Sequence, residues 1–563
     1  MSIFTSPFIV SQKYNDLYYD VDLYLDSKGN YQNGDEFVNN KKYNINPASV
    51  ISLNIIDSIN DWVVDGEMTF LMSTTNEETP ESQTTGQPTE IVTNNTTKDK
   101  LISKNFQFRG DGYDLLRVLV CPKTSVAGQE NISLGKRNPA WQLSYIFSIY
   151  DIEDINDFPT LAGHASGYLK CIKVKFHDLR YQIMKTSNIE YSTSFPKDQT
   201  LKPNFETGIA KTLGVLPTGQ ILKDIFNYTL ANFELGGIEE FKIKDDVEWD
   251  TGSSNLFYTS PAQYTAFDDT EYILSHHVSN KSLITPNQTT TQLKDMCMLH
   301  TSRGKKFGDL ENISLTPLQD FFKKAGDSYQ SSGPLLKERF YITKLTSKAS
   351  SVTEMKSPLM NSNNIDNDIK TTKYGRILSF CLTDMPGSIN SEEFRTTPIY
   401  SVDIARRQFN VDFNGNDVIT AKKAIAKTYI SNLYKKGEDE SVSLHTLHVR
   451  KKDFNVFPEF SLHGNNKVVR QAKGLHQLLY TGLFQGTSII FQVLGLTNRE
   501  SGTFISIEET DGSDNNDVAN KLYGQWFVTR VEHMFQSNAY FNMIYAVKLH
   551  RFRPLINKFE NTI

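Results

Sequence analysis

The chain has 563 residues, a formal net charge of -6, 38% hydrophobic residues and 12% aromatic residues. The length suggests roughly three to four globular domains, and the abundant Tyr and Phe favour β-sheets. Proteins that grip DNA phosphates are usually clearly basic, so this charge argues against tight DNA binding.

Cysteine usage and hydrophobicity exclude several further classes of protein. The four cysteines lie far apart, which excludes a CxxC zinc ribbon or redox motif and predicts buried free thiols. No segment approaches the roughly 18 consecutive apolar residues of a membrane-spanning helix, and the N-terminus lacks the features of a secretory signal. We therefore expect a soluble protein that is made in a cytosol. The cysteines are Cys121, Cys171, Cys297 and Cys381.

Period-two alternation of apolar and polar residues predicts antiparallel strands over about the first 190 residues. Ile51, Leu53 and Ile55 are expected to share one apolar face. In the segment 169–177, lysines alternate with apolar residues, which indicates a solvated outer face. The segment 73–100 is rich in Thr, Asn, Glu and Pro and is predicted to be a long polar loop. Further strands are expected at 68–72, 106–108, 115–120 and 143–150.

Helical patterns occur in the middle of the chain. A helix is expected to begin at Thr218, another at Asp268 or Asp269, and a third at Thr316-Pro317 with Gly326 as its stop. Met296–Leu299 is expected to be a short buried strand. The segment 346–372 is predicted to be a polar linker, and 417–436 has the longest helical pattern, which ends at Gly437.

The last 80 residues return to strand patterns. We expect Phe527, Val531 and Phe535 to share one face of a strand, followed by a hairpin turn at 536–539 and a return strand over 541–549. The segments 143–177 and 526–549 have the same order of strand, connector and alternating strand, and each follows another strand pair. This pattern predicts an internal repeat.

A search for catalytic or metal-binding motifs finds little. His276 and His277 would point about 100° apart on a helix, and the pair His445 and His448 lacks the Glu of a zinc-protease motif. The segment 302–307 is interpreted as a basic turn. Acidic clusters could serve a glycosidase only if they flanked a cleft. We therefore expect no catalytic, metal-binding or cofactor-binding residues and no cofactor. The acidic clusters are Asp151, Glu153 and Asp154; Asp268, Asp269 and Glu271; and Glu508, Glu509 and Asp511.

Three segments carry a resemblance to a known family, namely 49–73, 474–507 and 525–549. They resemble the central baseplate hub proteins of T-even-type contractile-tailed phages. They are more distantly similar to the late control protein D and type VI secretion spike-base families. In the last segment, the resemblance lies in Val531, His533 and Phe535, a short polar turn and an alternating return strand. The segments are SVISLNIIDSINDWVVDGEMTFLMS (49–73), GLHQLLYTGLFQGTSIIFQVLGLTNRESGTFISI (474–507) and QWFVTRVEHMFQSNAYFNMIYAVKL (525–549).

The resemblance implies a mixed, mainly β fold, with two tail-tube-like antiparallel β-barrels and an α/β insert domain between them. The expected organisation is an N-terminal barrel, an α/β domain, a linker, a continuation of the insert that includes the helix 417–436, and a C-terminal barrel. Interface and channel-lining residues cannot be assigned from the sequence. The expected boundaries of these five parts are 1–200, 201–345, 346–372, 373–465 and 466–563.

The implied function is that of a non-enzymatic virion protein. Three copies would form a ring that joins a six-fold tail tube to a three-fold central spike, with a channel for tape measure and DNA. Expected partners are the chain itself, the spike protein, tail tube or tube-initiator proteins and baseplate wedge proteins. Assembly is expected in the host cytoplasm. The alternatives are the base of a type VI-like secretion spike, or a tail-associated protein that binds or degrades polysaccharides, tested at Glu508 and Asp511.

Overall fold

A computed structural model provides the coordinates of the chain. The residues that it describes are 9–15, 17–27, 41–59, 61–73, 108, 114–124, 136–155, 169–193, 215–231, 241–283, 293–304, 306–321, 338–342, 373–383, 399–403, 408–413, 455–458, 487–509, 522, 524–536 and 538–548. Several predictions fall outside these ranges, namely the loop after residue 73, the linker 346–372, the helix 417–436, the stop at Gly326, the pair His445 and His448, and Asp511.

Strands dominate the described residues. The strands of the first half are β1 (Val10–Tyr14), β2 (Leu17–Ser27), β3 (Lys41–Asn44), β4 (Val50–Ser58), β5 (Asp65–Ser73), β6 (Asp114–Thr124), β7 (Lys136–Arg137), β8 (Leu143–Ile155), β9 (Leu169–Asp178), β10 (Val215–Pro217) and β11 (Asn255–Phe257). Those of the second half are β12 (Cys297–Ser302), β13 (Asn312–Pro317), β14 (Glu338–Ile342), β15 (Ser379–Thr383), β16 (Ile399–Asp403), β17 (Gln408–Phe413), β18 (Asn455–Pro458), β19 (Ser488–Leu494), β20 (Phe504–Glu509), β21 (Gly524–Gln536) and β22 (Ala539–Val547). The helices are α1 (Leu179–Thr186), α2 (Thr218–Ala231) and α3 (Ala266–His276).

One 15-stranded sheet contains strands from both ends of the chain. Its main order is β1-β2-β6-β8-β9-β5-β4-β21-β22-β19-β15, with β3 beside β2, β7 beside β6, and β20 between β21 and β14. Its pairings are antiparallel except for β14 with β20. The fold is therefore mainly β with a large antiparallel sheet, as expected. Among the strands described, the ladder does not close on itself, and the two closed barrels stay a prediction.

The sheet contains two five-stranded units with the same topology. The first unit has the order β4-β5-β9-β8-β6, and the second has the order β15-β19-β22-β21-β20. In both units the strands follow one another along the chain in the same sequence. The hairpins β8–β9 and β21–β22 are the segments in which the sequence predicted a repeat. The strand that corresponds to β4, however, is β15, which lies more than 100 residues before β19.

The two units also share their register, residue by residue. The strands β8 and β21 each have 13 residues and one bulge, at Tyr150 and Thr529. The residue before each bulge pairs with the second hairpin strand, and its partner pairs in turn with the second residue of β5 or β19. An insertion of one residue would destroy this agreement, because side chains alternate between faces. The matched triples are Ile149–Phe176–Gly66 and Val528–Ala546–Ile489.

Bulges also explain two differences from the predicted strand faces. A register shift between Val50 and Ser52 brings Val50 into the core with Leu53 and Ile55, while Ile51 is only half-buried. The bulge at Thr529 brings Val528 into the same core as Val531, so the expectation that Phe527 shares that face is wrong. A bulge places two residues opposite one and thereby reverses the alternation beyond it.

The helices pack on the outer face of the first unit. Residues 142–149 are all buried, because Phe147 and its alternate neighbours face the core of the sheet while Ile146 faces the helices. The helix predicted at Thr218 is confirmed as α2. The helix predicted at Asp268 begins earlier, because Thr265 caps α3 and Asp268 completes the capping box.

The remaining local predictions are partly correct. Thr316 and Pro317 are the last residues of β13, and residues 318–321 are helical. The helix therefore begins one residue after Pro317, the position predicted for its first residue. The short strand expected at Met296 is β12, which begins at Cys297. All four cysteines are free, but Cys381 is exposed on β15, an edge strand of the described sheet, where the sequence predicted a buried thiol.

Candidate functional site

The two units meet at a pair of adjacent strands in the middle of the sheet. Strand β4 of the first unit pairs with the second half of β21, from Ser58 opposite Arg530 to Ser52 opposite Gln536. Phe535 of the second unit enters the core of the first unit. We call this strand pair and the buried groups around it the junction, and it is the candidate functional site of the chain.

An aromatic cluster reinforces the junction from the N-terminal side. The backbone N–H of Asn15 donates to the carbonyl of Asn538 at 2.9 Å, and its side-chain amide donates to the carbonyl of Tyr540 at 2.8 Å. The ring of Phe535 stacks on that of Tyr540 with 4.0 Å between centroids, and it contacts the ring of Tyr14 at 5.2 Å. The β1–β2 turn is thus fastened to the β21–β22 hairpin.

Gly495 is required for the position of the Tyr540 ring. Its N–H donates to the Tyr540 carbonyl at 2.6 Å, and an added Cβ would lie 2.3 Å from the ring. No side chain fits in that space without moving a ring that is itself fully buried.

A neutral histidine lies in the core of the junction. His533 Nδ1 shares hydrogen bonds with the Tyr540 hydroxyl at 2.6 Å and the Asn542 amide at 3.1 Å. Burial lowers the pKa of His533 well below its ordinary value. The side-chain carbonyl of Asn542 accepts from Leu496 N–H and from Arg499 Nη1, at 2.8 and 2.9 Å. This network connects the hairpin to the loop after β19.

Buried charged groups connect the junction to the middle of the chain. Asp57 of β4 accepts from the N–H and hydroxyl of Ser501, at 2.9 and 3.0 Å. Arg303 donates to the carbonyls of Gln142 and Arg499, at 2.7 and 2.9 Å. Arg303 follows β12, so its guanidinium connects the turn after that strand to Gln142, the residue before β8, and to Arg499 in the second unit. A guanidinium suits this role, because its planar fork of donors reaches several acceptors at once.

Arg303 also lies between two carboxylates, of which that of Glu311 is buried and that of Glu500 is partly exposed. Its guanidinium is 3.6 Å from the carboxylate of Glu311 and 3.7 Å from that of Glu500. Burial disfavours its charge, but Glu311 and the other acids raise its pKa above the ordinary value. Burial raises the pKa of Glu311 to about 7, against the attraction of Arg303. Removing one member of such a group leaves a buried charge without compensation, so the group fixes the relative orientation of the parts it joins.

Sequence reasoning missed this site almost entirely. The sequence predicts a basic turn at residues 302–307, yet the side chain of Arg303 is only 10% exposed and lies at the junction. His533 was noted only through the resemblance. Asp57 lies near the end of an otherwise apolar strand, and Arg303 follows the polar end of β12; residues of these types are far more often exposed than buried.

The described members of the acidic clusters have separate roles in the fold. Asp151 and Glu153 both accept from Lys175, at 2.8 and 2.9 Å, on the exposed face of the first unit. This agrees with the solvated lysine face predicted for 169–177. Asp268 serves the α3 cap, and Asp269 accepts from Tyr258 and Ser260 inside the helical layer. Glu508 and Glu509 are the last residues of β20.

One group of possible metal ligands lies in the helical layer. Asp250, His277 and Cys297 place their ligand atoms within 4.8 Å of one another. The Asp250 carboxylate already accepts from Ser279 and from the N–H groups of Gly252 and Asn280. These contacts suit a structural anchor, although the same donors are of the type that binds Zn²⁺. Burial lowers the pKa of His277 to about 4, so its imidazole is neutral.

Across the described helices, none is long and apolar enough to span a membrane.

No known protein family matches the sequence, and no curated protein does. Several solved structures share a distant likeness. The 43 kDa tail protein of prophage MuSo2 from Shewanella oneidensis has 8% identity and a TM-score of 0.39, with 94% of this chain and 98% of that chain covered.

The tail protein from Neisseria meningitidis MC58 gives 8% identity and a TM-score of 0.39, over 95% of this chain and 98% of that one. An Escherichia coli type VI secretion component, described as similar to the phage T4 tail proteins gp27 and gp5, gives 7% identity and a TM-score of 0.33, over 90% and 76%. TM-scores below 0.5 do not establish a family. The similar solved structures are thus phage tail and type VI secretion proteins.

Proposed function

We propose that the chain is a non-enzymatic structural protein of a contractile phage tail, and that it acts as the homotrimeric central hub of the baseplate. The observation that carries this proposal is the duplication of a five-stranded unit in one register within one chain. Three copies of a chain with two equivalent units present six equivalent positions. Such a ring can contact a six-fold tube on one side and a three-fold spike on the other.

The junction supports this role because it is rigid and internal. A symmetry adaptor works only if its two units keep a fixed relative orientation. The β4–β21 pairing, the Phe535–Tyr540 stack and the Arg303 group all hold the units together. The resemblance of the segments 49–73, 474–507 and 525–549 to phage hub proteins points in the same direction, since two of these segments form the two sides of the junction.

The proposed partners follow from the proposed position. The ring would bind the central spike protein below, tail tube or tube-initiator proteins above, and baseplate wedge proteins around it. Each unit would contribute to a closed, barrel-like wall in the assembled ring. DNA would pass through without specific binding, because a chain of net charge -6 does not attract phosphates.

Light scattering and imaging of the purified protein test the proposal. We expect a mass of three chains of 64.1 kDa each and, by negative-stain microscopy, a three-fold ring with a central passage. A folded chain that stays monomeric at every concentration and never joins purified tails would overturn it. Hydrolysis of any polysaccharide by the wild-type protein would overturn the non-enzymatic part.

A further inference from the structure

We propose that copies of the chain join by adding strand β15 of one copy to the free half of strand β8 in the next copy, in a register that the junction already displays. This inference rests on the proposed ring and names the interface that builds it.

The two halves of β21 have different partners on one side of the strand. On one side, residues 527–536 of β21 pair with β22. On the other side, residues 524–527 pair with β20 of the same unit, and residues 530–536 pair with β4 of the first unit. A bulged strand thus serves its own unit with its first half and receives the edge strand of the other unit with its second half.

Strand β8 is the counterpart of β21 in the first unit. Its residues 143–149 pair with β6, just as the first half of β21 pairs with β20. Beyond the bulge, residues 151–155 pair with β9 on one side only, as far as the described strands go. This half of β8 corresponds to the half of β21 that receives β4.

Strand β15 is the counterpart of β4 in the second unit. It pairs with β19 on one side and ends the main path of the sheet. Phe380 corresponds to Leu53 of β4, yet Phe380 is 44% exposed and Leu53 only 3%. Leu378, just before β15, is 47% exposed. An exposed apolar edge strand is prone to pair with another chain unless a partner covers it.

A second copy of this chain is the partner that these observations indicate. The junction shows that the edge strand of one unit fits the outer half of the bulged strand in the other unit. Applying the same step once more leads from β15 to β8 of a neighbouring copy. Junction and interface then alternate around a closed ring, and closure prevents the growth of an open filament.

The junction also fixes the expected register between copies. Three junction pairs transfer to the interface, and we limit the inference to these pairs. The transfer stops before residue 386, because Pro386 lacks the N–H that its counterpart Ile59 donates to the carbonyl of Thr529. Glu532–Ile56, His533–Ile55 and Met534–Asn54 become Glu153–Thr383, Asp154–Leu382 and Ile155–Cys381 between copies.

Disulfide trapping tests this register with a native thiol. Cys381 is exposed and free, so the variant Ile155→Cys should form a disulfide between copies under oxidised glutathione. The test is made in a Cys171→Val background, because Cys171 lies opposite Ile155 within the chain. On a non-reducing gel we expect covalent dimers and trimers, and none of these species after reduction.

Three controls make the outcome decisive. The pair Asn54→Cys and Met534→Cys, at the matching junction position, should close within one chain. Glu153→Cys with Cys381, two residues out of register, should cross-link at least tenfold less, because diagonal neighbours lie too far apart. Ile155→Cys with Cys381→Ser should give no cross-link.

The result separates the interface from the proposed function. A trimer by light scattering without the Ile155→Cys cross-link, while the junction pair closes, overturns the interface and leaves the hub proposal standing. A monomer at all concentrations overturns both. A covalent ladder that extends beyond trimers overturns the closed three-copy ring.

Discussion

Replacing Glu311 with Gln should change how the stability of the protein depends on pH. Burial raises the pKa of Glu311 from 4.5 to about 7 in the folded chain, so folding favours its protonated form. The stability associated with this group is complete below pH 4.5 and is lost as the pH rises through 7. Gln cannot titrate, and the variant should not show this loss.

The expected size follows from the difference between the two pKa values. Each pKa unit corresponds to 1.36 kcal/mol, so wild-type protein should lose about 3 kcal/mol from this group between pH 4.5 and pH 8. The free energy of unfolding of Glu311→Gln, relative to wild type, should therefore rise by about 3 kcal/mol over that range.

Urea unfolding followed by tryptophan fluorescence at pH 5, 6, 7 and 8 measures the difference. Trp526 is fully buried in the second unit and reports its unfolding. The control is Glu153→Gln, which removes a carboxylate from the exposed face of the first unit. A difference between Glu311→Gln and wild type that stays constant with pH, or that falls as the pH rises, would refute the assigned electrostatics.

Three further variants test other parts of the structure. Gly495→Ala should destabilise the chain by about 1–3 kcal/mol in urea unfolding, because its Cβ collides with the buried Tyr540 ring; an unchanged midpoint would contradict that packing. His277→Gln should abolish a loss of about 3 kcal/mol that wild type shows as the pH falls from 6.5 through 4, and equal acid sensitivity would contradict a buried neutral imidazole. Phe380→Ser should weaken self-association at least tenfold in analytical ultracentrifugation without lowering the thermal midpoint, whereas Phe257→Ser, equally exposed at 44%, should change neither.

Local sequence patterns predicted much of the secondary structure. The helix at Thr218 and the strands around 143–150 and 169–177 were evident because their apolar residues recur at the period of one buried face. The same patterns failed at the bulges, since one extra residue at Ile51 or Thr529 reverses the alternation. A bulge depends on the partner strand, and the partner is not visible in a local window.

The internal repeat was also only partly predictable from local sequence patterns. The hairpins 143–177 and 526–549 suggested a duplication, and the coordinates give it a register. The counterpart of β4 could not be found from the sequence, because β15 is short, lies far from β19 and has no sequence likeness to β4. Its assignment needed the pairing of strands across more than 100 residues.

A mainly β chain with a helical middle region, free cysteines and a net charge of -6 follows from the amino-acid sequence, because these properties depend on composition and on short-range periodicity. Three features depend instead on how distant segments fold together: the burial of Glu311 and His533 near Arg303, the pairing of β4 with β21, and the exposure of Phe380 on β15. Burial of a charge depends on which distant groups surround it, and strand partners are chosen by the edges left free once the nearby pairs have formed.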